Sequence, residues 1–302
     1  PIYSQTFVHQ ELAQLTKAGF PLRHVYSTQD SKEQLRPEFH ALWDTKTLLK
    51  IDHDRHRRDF SHYQRQKPSR VESLIEKLSA ASGMTREAVV AHGNFLQAFT
   101  FTRMVEAWQP GYLHTYFFYD RSLMALVAGY LLDIPRGVSC YADHLLQDYE
   151  LKVVPLHLEL CDIVVATSER IRAELLGLSS NADPERILVK PNAIDTTMFP
   201  VLERCEPGDD APYRVVTVCR IEPKKGLLEL VEGVSLLRER GLHVEAHIVG
   251  GVDEWSPSSR EYKAQLDQRI TELELWGTVH LEGRQDMHGL LRLLGIASIF
   301  VA

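Results

Sequence analysis

No apolar run in the sequence approaches the roughly 20 residues that a helix needs to span a bilayer. Its opening, Pro1-Ile2-Tyr3-Ser4, lacks the charged stretch and apolar core of a secretory leader, so a cytoplasmic protein is the expectation. Cysteine is scarce: Cys140, Cys161, Cys205 and Cys219 stand far apart, with no Cys-x-x-Cys pair. That spacing offers neither a zinc framework nor a disulfide scaffold and fits thiols in a reducing compartment. Positive charge is also in deficit, 34 Lys and Arg against 41 Asp and Glu, a net charge of −7. A general nucleic-acid binder would carry the opposite balance. No internal repeat of solenoid length is present.

What is there is ordinary for a globular protein: 302 residues, 44% hydrophobic and 25% charged, enough for two domains with substantial cores. Short β-branched runs alternate with helical patterns. Helices are expected over 6–18, 71–78, 85–108, 122–132, 147–160 and 169–176, the last capped by Ser168. Strands are expected over 22–26, 112–117, 138–141, 163–167 and 187–189. A polar linker covers 203–212, and the rhythm then resumes. Strands over 215–219, 244–249, 278–282 and 298–302 flank helices over 227–240, 259–274 and 286–294. Such alternation means βαβ units and parallel sheets. The domains are therefore placed at 1–202 and 203–302.

The most informative stretch is Val215 to Leu237. An apolar strand leads into Arg220-Ile221-Glu222-Pro223-Lys224-Lys225-Gly226, and a helix follows with Leu227, Leu230, Val231, Val234 and Leu237 on one stripe. Ligands of open α/β sheets bind beyond the carboxyl ends of strands, and free N–H groups at helix starts attract anions. Arg220 and Lys225 at that junction suggest a diphosphate site; the alternative is a pair of solvated loop charges. Val-Cys-Arg-Ile-Glu-Pro-Lys-Lys-Gly resembles the Gly-Arg-x-x-x-x-Lys-Gly signature of the family-four retaining glycosyltransferases, with Cys219 in place of the first Gly. Lys-Pro-Asn-Ala-Ile-Asp-Thr-Thr-Met-Phe (190–199) is similar to that family's Pro-Asn-Gly-Val-Asp-x-x-x-Phe segment. Ser-Gln-Thr-Phe-Val-His-Gln-Glu-Leu (4–12) is similar to the opening of its polysaccharide-building members.

The resemblance implies an α/β, GT-B-like fold, with two Rossmann-like domains facing across a cleft: an acceptor-side domain, then a nucleotide-sugar-binding one. It implies transfer of a sugar from a nucleotide-sugar donor to a saccharide or lipid-linked acceptor with retention, with no cofactor and no metal. Arg220 and Lys225 match the family's diphosphate-binding pair, where fixed cations stabilise the departing charge. Glu222 and Lys224 are expected to be solvated. Gly250, Gly283 and Arg284 end the next two strands, and their loops are expected to line the nucleotide cleft; glycine permits close backbone approach there.

In the first domain, Tyr112-Leu113-His114 resembles the family's His-x-His, with Tyr112 in the first position. Cys140-Tyr141-Ala142-Asp143-His144 resembles its Thr-x-His-x-x-Asp segment. Tyr141 falls where the donor-contacting His is expected and His144 is displaced beyond it, so either residue is a candidate. The alternative for His114 is a satisfied core histidine. Asn192 and Asp195 are read as turn formers.

Asp52-His53-Asp54 looks like an Asp-x-Asp metal motif but lies in a polar insertion, not after a strand, and no metal is expected. Residues 44–70 carry eight Lys and Arg against four Asp. That stretch is a candidate for contact with an anionic lipid surface, and a solvated charged helix is the plainer reading. The chain opens without Met and stops inside the apolar run Ser298–Ala302, so it is read as a fragment whose second domain is incomplete. The family's Glu-x7-Glu motif falls outside it. The alternative function is accordingly an inactive or nucleotide-binding fragment.

Overall fold

In a computed structural model, the described residues are 6–26, 32, 37–118, 122–141, 151, 153–194, 196–201, 211–253 and 256–302. They divide into two units, 1–194 and 195–302.

Helix α1 (Thr6–Lys17) buries Val8 and Leu12 and is followed by Gly19 at φ +86°. Strand β1 (His24–Tyr26) pairs in parallel with β2 (Lys46–Leu48), a strand the sequence pattern does not reveal. Three residues, Lys-Thr-Leu, carry too little periodicity to be legible. Helix α2 (His53–Gln66) starts at Asp52, whose carboxylate accepts from the Arg55 N–H at 2.9 Å. Asp52 is thus a helix cap, and the metal-like appearance of Asp52-His53-Asp54 has a structural origin. His56 is buried against Thr100, Nδ1 to Oγ1 2.8 Å, while Asp54 and Asp59 pair with Arg57 and Arg55.

Helix α3 (Pro68–Ser82) follows, and the long helix expected over 85–108 divides into α4 (Arg86–Ala91) and α5 (Gly93–Trp108). Gly93 inside a helix would cost about 1 kcal/mol, and the break falls beside it. Phe60 of α2 meets Phe95 and Phe99 of α5 edge-on, with centroids 5.8 and 4.9 Å away. These rings anchor the core of the first unit, and nearly every side chain of α6 (Ser122–Leu132) is buried there.

The main sheet of this unit contains β3 (Leu113–Tyr116), β4 (Arg136–Cys140), β5 (Ile163–Ala166) and β6 (Ile187–Val189), in spatial order β3-β4-β5-β6 and all parallel. Helix α7 (Val154–Leu160) covers the end of the helix expected over 147–160, and the described residues before it, Leu151 and Val153, are not helical. Helix α8 (Glu169–Leu178) starts as expected, with Ser168 Oγ accepting from the Ile171 N–H.

The second unit repeats the pattern with β7 (Tyr213–Val218), β8 (Val244–Val249), β9 (Val279–Gly283) and β10 (Ile299–Phe300), in order β10-β7-β8-β9 and again all parallel. Helices α9 (Leu227–Glu239) and α10 (Pro257–Glu272) cover one face through Leu227, Val231, Val234, Tyr262, Leu266 and Ile270. Helix α11 (Met287–Gly295) packs Leu293 on Val216 and Val249 of the other face. Parallel sheets require such double cover. The expected fold class, two Rossmann-like α/β units with parallel sheets, is the one observed.

Candidate functional site

Each unit gathers polar side chains at the carboxyl ends of its parallel strands, where open α/β sheets present their ligand-binding loops.

In the second unit three loops are stitched together by main-chain hydrogen bonds. Cys219 N–H donates to Val249 C=O at 2.9 Å, Ile221 N–H to Gly251 C=O at 3.1 Å, and Gly250 N–H to Gly283 C=O at 2.8 Å. This seam places Arg220, Lys225, Gly250, Gly283 and Arg284 on adjoining loops of one sheet edge. Gly250 has φ +146°, and a Cβ there would lie 1.8 Å from the Cys219 carbonyl oxygen. Only glycine fits that approach. Gly283 is also left-handed, at φ +66°. The Arg284 side chain lies over Gly251 and donates to the Val252 carbonyl at 3.4 Å.

Arg220 is exposed but not alone. Its Nη2 lies 3.2 Å from Glu222 Oε1, and Lys224 Nζ lies 3.7 Å from the same oxygen. The Glu222 side chain is only 13% exposed. Lys224, with its side chain 63% exposed, is the solvated charge expected from the sequence, whereas Glu222 is not: it is largely buried beside Arg220 and Lys224. Lys225 is exposed and makes no ion pair among the described residues. Burial raises the Cys219 thiol, against which Thr217 and the Lys225 charge act.

The start of α9 also differs from expectation. Gly226, at φ +64°, delivers the chain into the helix, but the N–H groups of Leu227 and Leu228 both donate to the Tyr262 hydroxyl, at 3.0 and 3.1 Å. Two donors that could have met a phosphate are already satisfied by a side chain of α10. The helix start therefore offers an anion fewer free donors than the sequence suggests, while Arg220 and Lys225 stand exposed beside it.

In the first unit, His114 sits on β3 with both ring nitrogens engaged: Nδ1 with Tyr112 Oη at 3.0 Å and Nε2 with Ser139 Oγ at 2.8 Å. Burial pushes its pKa down to about 4, so the ring is neutral at pH 7. The reading of His114 as a satisfied histidine thus describes its geometry. Tyr112 is pushed up to about 12, first by burial. Its hydroxyl stands where a side chain on Gly137 would be, since a Cβ there would come within 2.0 Å.

Tyr141 follows β4 and donates to Glu11 Oε2 at 2.6 Å, while Glu11 Oε1 pairs with Lys190 Nζ at 2.8 Å. Burial raises the Glu11 carboxyl, but the hydrogen bonds from Lys190 and Tyr141 outweigh it and the group sits below its usual range. The Tyr141 phenol is raised by burial and by Glu11. Its ring packs on Phe7, 4.7 Å between centroids, and near Tyr116 and Phe117. Phe117 has φ +71°, an uncommon conformation for a non-glycine residue. Glu11 and Lys190 were not singled out in the sequence, although both lie in stretches that carry the resemblance. His144 lies outside the described residues, as do Asp143 and Asp195.

With this geometry in hand, solved structures define the architecture first. The chain is similar to Anabaena HepE in complex with UDP, with a TM-score of 0.55 and 16% identity, over 68% of this chain and 55% of that one. It is similar to sucrose-phosphate synthase from Thermosynechococcus elongatus, with a TM-score of 0.53 and 19% identity, over 73% of this chain and 57% of that one. A glycosyltransferase from Rickettsia africae matches with a TM-score of 0.52 and 17% identity, over 68% and 54%. At these identities the likeness is one of fold, and the chain spans a little over half the length of these structures. Residues 204–302 match the family model of glycosyl transferases group 1. No curated protein matches the chain.

Proposed function

We propose that this chain serves transfer of a sugar from a nucleotide-sugar donor to a saccharide or lipid-linked acceptor, with retention of anomeric configuration. The observation that carries the reading is the hydrogen-bonded seam of loops in the second unit, which sets Arg220, Lys225 and Arg284 beside Gly250, where no side chain fits, and Gly283 in a left-handed conformation. The family match over 204–302 covers that seam, and HepE was solved with UDP. In this reading Arg220 and Lys225 bind the diphosphate and stabilise the negative charge that develops on it as the glycosidic bond breaks. Such preorganised cations are usually the largest catalytic contribution. Gly250 and Gly283 let the backbone approach the nucleotide, and Glu222 orients Arg220 until phosphate replaces it.

On the first unit, Tyr141, Glu11 and Lys190 form a polar cluster suited to sugar hydroxyls, with His114 as a neutral neighbour and His144 as the other candidate for the donor sugar. No cofactor is invoked. No described helix is long and apolar enough to cross a membrane, and peripheral contact through residues 44–70 remains part of the proposal for a lipid-linked acceptor.

A binding role without transfer is favoured by one observation, the full engagement of both His114 nitrogens. Incubation with a panel of nucleotide-sugars and NMR of the product separates the two readings. A product with the donor's anomeric configuration, whose formation slows in Tyr141→Phe or His144→Ala, supports transfer. Inverted product contradicts retention, and nucleotide binding with no turnover of any donor supports the binding role.

A further inference from the structure

Strands β8 and β9 read Val-Glu-Ala-His-Ile-Val and Val-His-Leu-Glu-Gly. Side chains alternate between faces along a strand, so Glu245 and His247 share one face of β8, and His280 and Glu282 share one face of β9. The parallel register sets His247 directly opposite His280. Val244, Ala246 and Ile248 point to the α9–α10 core, which leaves four polar side chains together on the opposite face.

Their hydrogen bonding is asymmetric. His247 Nδ1 lies 2.7 Å from Glu282 Oε1, which fixes Nδ1 as the protonated nitrogen in a neutral ring. His247 Nε2 then carries a lone pair, is buried, and meets no hydrogen-bond donor among the described residues. It faces Glu245 Oε2 at 4.0 Å, and the side chain is only 11% exposed. The His280 ring stacks alongside at 4.8 Å between centroids. Two arrangements relieve a lone pair aimed at a carboxylate from within the protein: a second proton on the ring, or a metal cation between the two groups.

We propose that Glu245, His247 and His280 bind a divalent transition-metal ion of the zinc class. One ligand atom from each of the three lies within 4.8 Å of the others. Some point therefore lies within about 2.8 Å of all three atoms, and small rotations of the partly exposed His280 and Glu245 bring the ligands to the roughly 2.0–2.2 Å of zinc bonds. Two imidazoles and one carboxylate suit zinc, cobalt or nickel rather than magnesium or calcium, which take oxygen ligands. Glu282 supplies the outer carboxylate that typically orients a metal-bound histidine through its second nitrogen.

Charge agrees. Arg214 Nε lies 3.4 Å from Glu245 Oε2 and balances one carboxylate. With neutral rings the cluster keeps one net negative charge for a cation to meet. The metal would tie β8 to β9 directly below Gly250 and Gly283, steadying the loops assigned above to the donor, although the site itself does not depend on that assignment.

The test uses the 302-residue chain without an affinity tag, stripped with EDTA, dialysed and titrated with zinc chloride by calorimetry. One equivalent should bind. Cobalt(II) should give the visible absorption of a four- or five-coordinate ion. His247→Ala and His280→Ala should each weaken binding at least 100-fold, and Glu282→Gln roughly 10-fold. Should His247→Ala fail to fold by circular dichroism, His280→Gln and Glu245→Gln carry the same test. Absence of stoichiometric binding overturns the proposal. So does zinc binding that survives these substitutions, or NMR showing both His247 nitrogens protonated at pH 7.5 and unmoved by zinc.

Discussion

Removing one oxygen atom, in Tyr262→Phe, asks whether the start of α9 is capped from α10. The Tyr262 ring is 5% exposed and packs in the core of the second unit, so phenylalanine keeps its shape and most of its burial. What is lost is the acceptor for the Leu227 and Leu228 N–H groups. A buried donor left without a partner costs about 1–3 kcal/mol. The Leu227 amide is buried and takes that cost in full, whereas the partly buried Leu228 amide regains some hydration. The sum is about 2–3 kcal/mol, and 2 kcal/mol is roughly a 30-fold change in an opening equilibrium. Amide hydrogen exchange reads this directly: protection at Leu227 and Leu228 should fall by that factor, with a matching loss of stability to urea. The freed N–H groups should also make sulfate more stabilising for the variant than for the wild type, since helix starts attract anions. Unchanged protection at both amides, with unchanged stability, would refute the capping argument.

Three further expectations follow from other positions. Gly250→Ala should destabilise the second unit by at least about 2 kcal/mol and, on the proposed function, weaken nucleotide binding, because the new Cβ meets the Cys219 carbonyl and the backbone is left-handed; wild-type stability to urea in that variant contradicts the seam. His157 is fully buried beside Ser122, and burial holds its pKa at about 3. The folded state stays neutral while the unfolded chain gains a proton below about pH 6.5, so this contribution to stability is intact above pH 6.5 and is lost between 6.5 and 3; urea titrations of His157→Gln should show a flatter pH profile. Glu11→Gln should lose the Lys190 ion pair and remove the part of the wild type's acid sensitivity that comes from protonating a carboxyl held below its usual range, because that stability exists above the unfolded pKa and is lost as pH falls through the folded one; an unchanged acid limb in the pH–stability curve contradicts it.

The strand–helix alternation was legible because parallel strands buried on both faces read as short β-branched runs, as in Val215–Val218. Boundaries at α6 and β8 could be read to the residue. Elements too short to show a period, such as β2, could not, and the break between α4 and α5 at His92-Gly93 was hidden because helical patterns run up to it through Val89 and Val90 and resume at once with Phe95 and Leu96. The loops proposed for the donor were picked out through the Arg-x-x-x-x-Lys-Gly pattern, a local signal. Glu11, Tyr141 and Lys190 meet only after folding brings α1, β4 and β6 together, and no local pattern records that. The same holds for the Tyr262 hydroxyl, 35 residues from the amide it accepts from, and for the Glu222 side chain, only 13% exposed beside two cations that stay largely in solvent.

The central claim is that the loops joined at Cys219, Gly250 and Gly283 bind the diphosphate of a nucleotide. Calorimetric titration of UDP and GDP into the wild type, Arg220→Ala and Lys225→Ala tests it most directly. Charge-assisted contacts to phosphate are worth about 1.5–3 kcal/mol, so each substitution should weaken the better nucleotide roughly 10- to 100-fold while leaving the circular dichroism spectrum unchanged. Equal affinity in all three proteins, or no binding of either nucleotide to the wild type, would contradict it.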